Sequence, residues 1–85
     1  MKLSWHSQAW EDYLYWQKTD KTKLKRINDL IKAAIRNPLE GIGNPEPLKH
    51  ALQGYLSRRI DGEHRLVYTI QEEELIIVSC RYHYN

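Results

Sequence analysis

The sequence predicts an α+β fold: two N-terminal helices packed on one face of a small, mainly antiparallel sheet. Three observations predict it. Between residues 9 and 35 apolar side chains recur at three-four spacing, the mark of helices with one buried face. All three prolines and two of the four glycines then fall between residues 38 and 47. Beyond them the spacing changes to alternation, with Asp61-Gly62 between two alternating runs. Helices that come first and strands that come last imply two layers around one core.

Each element follows from its residues. Met1, Leu3 and Trp5 alternate with Lys2 and Ser4, which predicts a short opening strand. Ser7 is placed to cap a helix whose apolar face is Ala9, Trp10, Tyr13, Leu14 and Trp16. Thr19 and Asp20 break that pattern and cap a second helix. Its buried face is Leu24, Ile27, Leu30, Ile31, Ala34 and Ile35, and Lys21, Lys23, Lys25, Arg26 and Lys32 line its polar face. Asn37-Pro38 ends it, because a residue before proline is driven out of the α region. Residues 38–47 read as loop. Tyr55–Ile60 and His64–Ile70 read as a hairpin, and Leu75–Tyr84 as a third strand.

The hairpin register follows from burial. A two-residue Asp61-Gly62 turn would mix Leu56 and Ile60 with Glu63 and Arg65 on one face. A three-residue loop, Asp61–Glu63, pairs Ile60 with His64 and gathers Leu56, Ile60, Leu66, Tyr68 and Ile70 instead. The opposite face then holds Tyr55, Ser57, Arg59, Arg65 and Val67, so two arginines share a face away from the core, which reads as open and basic.

Composition bounds the function. Eighty-five residues imply a single domain, 1–85, burying about 60–65% of its unfolded surface. No apolar run approaches the roughly 20 residues of a bilayer span. Residues 1–20 do not read as a signal peptide, which makes the cytoplasm the expected location. One cysteine, Cys80, excludes an internal disulfide framework and a multi-cysteine zinc site. Inside an apolar run it reads as a buried, inert thiol. Lys and Arg number 13 against 11 Asp and Glu, too small an excess to show nucleic-acid binding. Its distribution says more: Lys49, His50, Arg58, Arg59, His64 and Arg65 cluster against Asp61 and Glu63, which suggests a local anionic ligand. Motifs for nucleotide binding, for a serine nucleophile and for zinc hydrolysis are absent.

What remains is a set of polar groups: Glu46, Lys49, Arg59, Arg65, His83 and Tyr84. Glu46 stands between Pro45 and Pro47, which hold its backbone, and a fixed carboxylate near arginines can act as a general base. Arg59 and Arg65 can clamp a phosphate, since guanidinium meets phosphate in a fork. His83 can move a proton near neutral pH. Tyr84 can donate a hydrogen bond or stack on a base. Each also has a plainer reading. Glu46 can cap a turn or pair with Lys49, the arginines can be solvated charges, and His83 and Tyr84 can be a frayed terminus.

Longer segments carry a resemblance. Trp-Glu-Asp-Tyr-Leu-Tyr-Trp-Gln at 10–17, Lys-Arg-Ile-Asn at 25–28, Pro-Glu-Pro-Leu-Lys-His at 45–50, Ser-Arg-Arg-Ile at 57–60, Glu-His-Arg-Leu-Val-Tyr at 63–68 and Cys-Arg-Tyr-His-Tyr at 80–84 are specific in combination. With them the chain resembles the YoeB toxins, in the RelE-like superfamily of bacterial toxin–antitoxin mRNA endonucleases, over nearly its whole length. The resemblance implies two helices against an antiparallel sheet, and cleavage of messenger RNA in the ribosomal decoding site. It also implies a cognate antitoxin that wraps the toxin, contact with DNA only through that complex, and a possible homodimer. It places the catalytic carboxylate on Glu46, phosphate contacts on Arg65 and Arg59, a basic helper on Lys49, and a C-terminal pair on His83 and Tyr84. Gly62 and Asn85 depart from the family pattern. The chemistry it implies is attack by the substrate's own 2′-hydroxyl, without metal or cofactor. The alternative is a non-catalytic module whose basic sheet face binds nucleic acid; Glu46 separates the two, because a pure binder gains nothing from a carboxylate beside phosphates.

Overall fold

The first strand does not pair with its neighbour in sequence. In the computed structural model, which describes residues 1–82, β1 (Lys2–Trp5) runs parallel to β5 (Glu74–Ser79), at the edge of a five-stranded sheet. Between them lie α1 (Ser7–Thr19), α2 (Lys21–Arg36), β2 (Glu46–Pro47), β3 (Leu56–Arg59) and β4 (Arg65–Gln71). The sheet order is β1-β5-β4-β3-β2, and every pairing other than β1 with β5 is antiparallel. The expected α+β arrangement is therefore present. His83 and Tyr84, with Asn85, lie outside the described residues.

Asp20 makes the corner between the helices. Its N–H donates to the Trp16 carbonyl and closes α1, while its carboxylate accepts from the N–H groups of Thr22 and Lys23 and opens α2. Ser7 does not cap α1 as expected. The parallel ladder runs on to His6, whose N–H donates to the Ile77 carbonyl, so His6 stays extended and Ser7 is already helical. The apolar face of α1 also differs. Ala9 and Trp16 are buried, but the position between them belongs to Asp12, while Trp10 is 45% exposed against Trp5 and Tyr13. Asp12 is buried because its carboxylate accepts from the N–H of Cys80 at 3.0 Å, and a satisfied carboxylate can occupy a core position.

α2 follows its periodicity. Ile27, Leu30, Ile31 and Ala34 are buried against Leu66, Tyr68, Leu75 and Ile77 of the sheet. The hairpin takes the three-residue register: Arg59 pairs with Arg65, Leu56 with Tyr68, and the Ile60 N–H donates to the His64 carbonyl. The Asp61 carboxylate closes the loop by accepting from the N–H groups of Glu63 and His64.

The same register carries Arg58 and His64 to the core face, so neither belongs to the basic surface read from the sequence. Arg58 is fully buried. Its Nε donates to Tyr68 Oη, Nη1 to the Ile42 carbonyl, and Nη2 to the carbonyls of Asn37 and Glu40. Tyr68 Oη in turn donates to the Pro38 carbonyl. One side chain thereby ties the loop after α2 to the sheet. Gly43 completes the tie. Its φ of +86° belongs to the left-handed region, and a Cβ there would lie 2.6 Å from Leu30 Cδ2. Its carbonyl accepts from the Arg59 N–H at 2.7 Å.

Residues 38–47 are therefore not all loop: Glu46 and Pro47 form β2, pairing with Ser57 and Leu56. An edge strand tolerates proline because one side of it needs no donors. The strand read as Leu75–Tyr84 ends at Ser79. Tyr82, read as part of that strand, is instead 54% exposed with a left-handed φ of 67°, held by His64 Nδ1 and the Arg65 N–H.

Candidate active site

Sheet parity assembles the site. Glu46 lies opposite Ser57 on β3, and Arg59 opposite Arg65 on β4. Directly opposed residues in an antiparallel pair point to one face. Glu46, Ser57, Arg59, Arg65 and Val67 thus share the face away from the helices, as the register predicted for the last four. Across β3, Glu46 Oε1 and Arg65 Nη1 stand 3.2 Å apart. The carboxylate therefore meets Arg65, not Lys49.

The two partners are unequally covered. The Arg65 side chain is 11% exposed and that of Glu46 44%. Ser57 and Val67 beneath them are buried, so this face is not simply open. The Leu48–Tyr55 segment returns along it, held by the Leu48 N–H on the Tyr55 carbonyl and by Thr69 Oγ1 on the Gly54 carbonyl. Arg59 remains exposed, and its carbonyl accepts from Arg26 Nη2. Lys49 is also exposed and lines, with Glu46, a cleft of about 380 Å³. The structure thus brings Glu46, Arg59 and Arg65 onto one face, with Lys49 beside Glu46 in the cleft, while His83 and Tyr84 lie outside the described residues.

A guanidinium held against a carboxylate, with a second arginine opposite, can bind one phosphodiester. A phosphate oxygen competes for Arg65, and the carboxylate then faces the group attached beside that phosphate. Cys80 is no nucleophile in these surroundings. Burial, with the Asp12 carboxylate nearby, pushes the Cys80 thiol up to about 12, so it stays protonated. Among the described residues no group of three or more His, Cys, Asp or Glu is placed to hold a metal.

Sequence reasoning left the supports of the C-terminal segment unassigned. Cys80 is held by Asp12 at its N–H and by Trp16 Nε1 at its carbonyl. Tyr82 donates its N–H to His64 Nδ1, and its carbonyl accepts from the Arg65 N–H. Register parity was the signal for His64, since pairing with Ile60 puts it on the core face. Asp12 and Trp16 had no comparable signal.

The arrangement of two helices and five strands recurs in YafQ from E. coli strain BL21(DE3), with a TM-score of 0.75 over 96% of this chain and 92% of that one. At 23% identity that likeness shows the fold alone. The class is the RelE-like toxin fold. Residues 5–84 match the family described as the YoeB-like toxin of the bacterial type II toxin-antitoxin system, and the chain belongs to that family. It is 60% identical over 84 residues to Toxin YoeB of Escherichia coli strain K12, covering 99% of this chain and 100% of that one. A YoeB/ParE toxin from Agrobacterium tumefaciens superposes with a TM-score of 0.96 at 49% identity, over 99% of this chain and all of that one. Two Staphylococcus aureus structures, a heterotetrameric YoeB-YefM complex and a YoeB dimer, each give a TM-score of 0.91 at 53% identity, over 99% of this chain and 98% of theirs.

Proposed function

We propose that this chain is the toxin of a type II pair and an endoribonuclease that cuts messenger RNA in the ribosomal decoding site. The observation that carries this reading is the Glu46–Arg65 pair at 3.2 Å, with Arg59 opposite Arg65. A phosphodiester seated on the arginines brings the neighbouring 2′-hydroxyl to the carboxylate. Glu46 takes the hydroxyl proton, and the 2′-oxygen attacks phosphorus in line. The charge gathering on the phosphoryl oxygens is stabilised by Arg65, with Arg59 and Lys49 assisting. As the bond to the 5′-oxygen breaks, His83 delivers a proton to that oxygen and Tyr84 orients the nucleotide. The products are a 2′,3′-cyclic phosphate and a 5′-hydroxyl. Acid and base each contribute about 10²–10⁴-fold, and alignment of the message by the ribosome supplies much of the rest.

The Staphylococcus aureus structures are a YoeB-YefM toxin-antitoxin complex and a YoeB dimer. By that likeness we propose a cognate antitoxin and a homodimer for this chain, DNA contact only through the antitoxin complex, and a cytoplasmic site of action. No helix among the described residues is long and apolar enough to cross a membrane.

The test is translation of a defined message in a reconstituted system with this protein, mapping the new 3′ ends. Cuts confined to ribosome-held codons, ending in cyclic phosphate, are expected. A message with a 2′-O-methyl nucleotide at the cut position should bind and stay intact. Binding without any cut in the natural message would leave only the non-catalytic, nucleic-acid-binding reading. Cleavage of the methylated message would show that water or a protein group attacks.

A further inference from the structure

The chain that leads into His83 continues beyond the last strand of the sheet. β5 ends at Ser79, and the next residues are held by side chains of α1 and the hairpin and by one backbone bond from β4. The Tyr82 N–H donates to His64 Nδ1 at 2.7 Å, while the Tyr82 carbonyl accepts from the Arg65 N–H at 3.1 Å. Tyr82 is thus tied at both backbone groups to two adjacent residues of the hairpin, one of which is the phosphate-binding candidate. The His64 ring has little freedom. It is 10% exposed, edge-on to Trp16 at 4.8 Å and tilted against the Tyr82 ring at 5.6 Å.

The geometry fixes the tautomer. A nitrogen that accepts from a backbone N–H carries no proton, so in the neutral ring the proton sits on Nε2. Nε2 lies 3.5 Å from the Glu63 carboxylate. The other charged groups around the ring are Asp61, whose carboxylate accepts from the His64 N–H; Lys23, paired with Asp61; and Arg81, over the Tyr82 ring. A second proton, on Nδ1, would set N–H against N–H and break the bond to Tyr82.

We propose that His64 is a positioning residue: its neutral, Nε2-protonated imidazole sets Tyr82, and with it the point from which the chain continues to His83, relative to Arg65. The consequence for cleavage rests on the nuclease reading above; the consequence for Tyr82 does not. A proton on Nδ1 releases the Tyr82 N–H from His64, while Arg65 stays in its place on β4.

The experiment compares the full-length parent with His64→Leu and His64→Asn. Asparagine offers an oxygen near the Nδ1 position and does not titrate. At neutral pH the Tyr82 amide should lose about tenfold in hydrogen-exchange protection in His64→Leu and regain it in His64→Asn, the worth of one buried hydrogen bond. Cleavage at saturating ribosome should fall about 10²-fold in His64→Leu, with KM unchanged, and recover in His64→Asn. In acid, parental Tyr82 protection should fall relative to that of His64→Asn, which has no Nδ1 to protonate. Unchanged Tyr82 protection in a folded His64→Leu overturns the proposal. Should His64→Leu not fold, the parent decides: a long-range proton–nitrogen spectrum showing the His64 proton on Nδ1 overturns it, and one on Nε2 supports it. A parent that cuts nothing refutes the nuclease reading, while the Tyr82 exchange still decides the positioning role.

Discussion

Arg58 and Arg65 lie on neighbouring strands of one sheet, and the same side chain does opposite work on its two faces. Arg58 points to the helices and finds Tyr68 Oη and the carbonyls of Asn37, Glu40 and Ile42. Every partner is a neutral group of the chain itself, so the charge is consumed in holding the loop that delivers Glu46. Arg65 points the other way and meets Glu46, a charged partner that is half open to solvent. Water or an incoming anion can replace that contact. A buried cation saturated by carbonyls is structure, and one paired with a hydrated carboxylate can exchange that partner for an anion.

Breaking Arg58 should have the largest effect. Arg58→Met takes a donor from Tyr68 Oη and from the carbonyls of Asn37, Glu40 and Ile42, and should cost about 3–5 kcal/mol. Thermal unfolding should show a midpoint lower by at least about 12 °C, or no cooperative transition at all. A midpoint close to the parent's would mean that the loop is held by Gly43 and its packing alone.

Arg65→Ala sharpens the contrast. The Arg65 side chain is buried, but Glu46 can rehydrate, so the loss of stability should stay below that of Arg58→Met, at about 1–3 kcal/mol. Cleavage should nevertheless fall about 10³-fold, the scale of losing a donor aimed at developing charge. Arg65→Lys should restore little, because a point charge cannot replace the fork. If Arg65→Ala unfolds as Arg58→Met does, the two faces are alike and the comparison fails.

Deleting residues 83–85 should leave the unfolding midpoint within about 4 °C of the parent's, roughly 1 kcal/mol for a chain of this size. The bonds that hold Cys80 and Tyr82 come from Asp12, Trp16, His64 and Arg65, all retained. Cleavage should be lost with the proposed acid. Full activity of the shortened chain in the translation assay would remove His83 and Tyr84 from the mechanism.

The smallest effect belongs to the hairpin loop. Burial disfavours the Asp61 anion, but hydrogen bonds from the His64 and Glu63 N–H groups and from Lys23 outweigh it and hold the carboxyl down to about 2. A carboxyl depressed in the folded state adds stability above its ordinary value near 4, and that stability is lost as pH falls from about 4 toward 2. Asp61→Asn keeps an oxygen for both N–H groups and removes the Lys23 bridge. Near neutral pH it should cost about 1 kcal/mol or less. Unfolding curves of parent and variant should converge as pH drops through that window; a constant gap would show that Asp61 acts through the turn alone.

How much of this was legible depends on sequence separation. Asp20 as the corner, the buried face of α2 and the hairpin register could all be read from residues close together. The register also placed Arg59 and Arg65 on one face. It held more than that: parity puts Arg58 and His64 on the core face, yet a cationic cluster read as one surface conceals it. The exposed Tyr82 and the shortened β5 could not be read, because alternation alone says nothing of a chain leaving the sheet on hydrogen bonds.

The sequence by itself determined the local choices: where helices stop, which turn closes the hairpin, and which side of each strand meets the core. These rest on backbone preferences and on a periodicity set within a few residues. Tertiary structure decided the meeting of Glu46 with Arg65. β2 must dock on β3, and Arg58 braces the loop that leads to it by gathering the carbonyls of residues 37, 40 and 42. Tertiary structure also tied Cys80 and Tyr82 to residues of α1 and of the hairpin, as many as 71 positions away. Such contacts come at the cost of closing long loops, which no local pattern encodes; burial and hydrogen bonding decide them only once the layers have met.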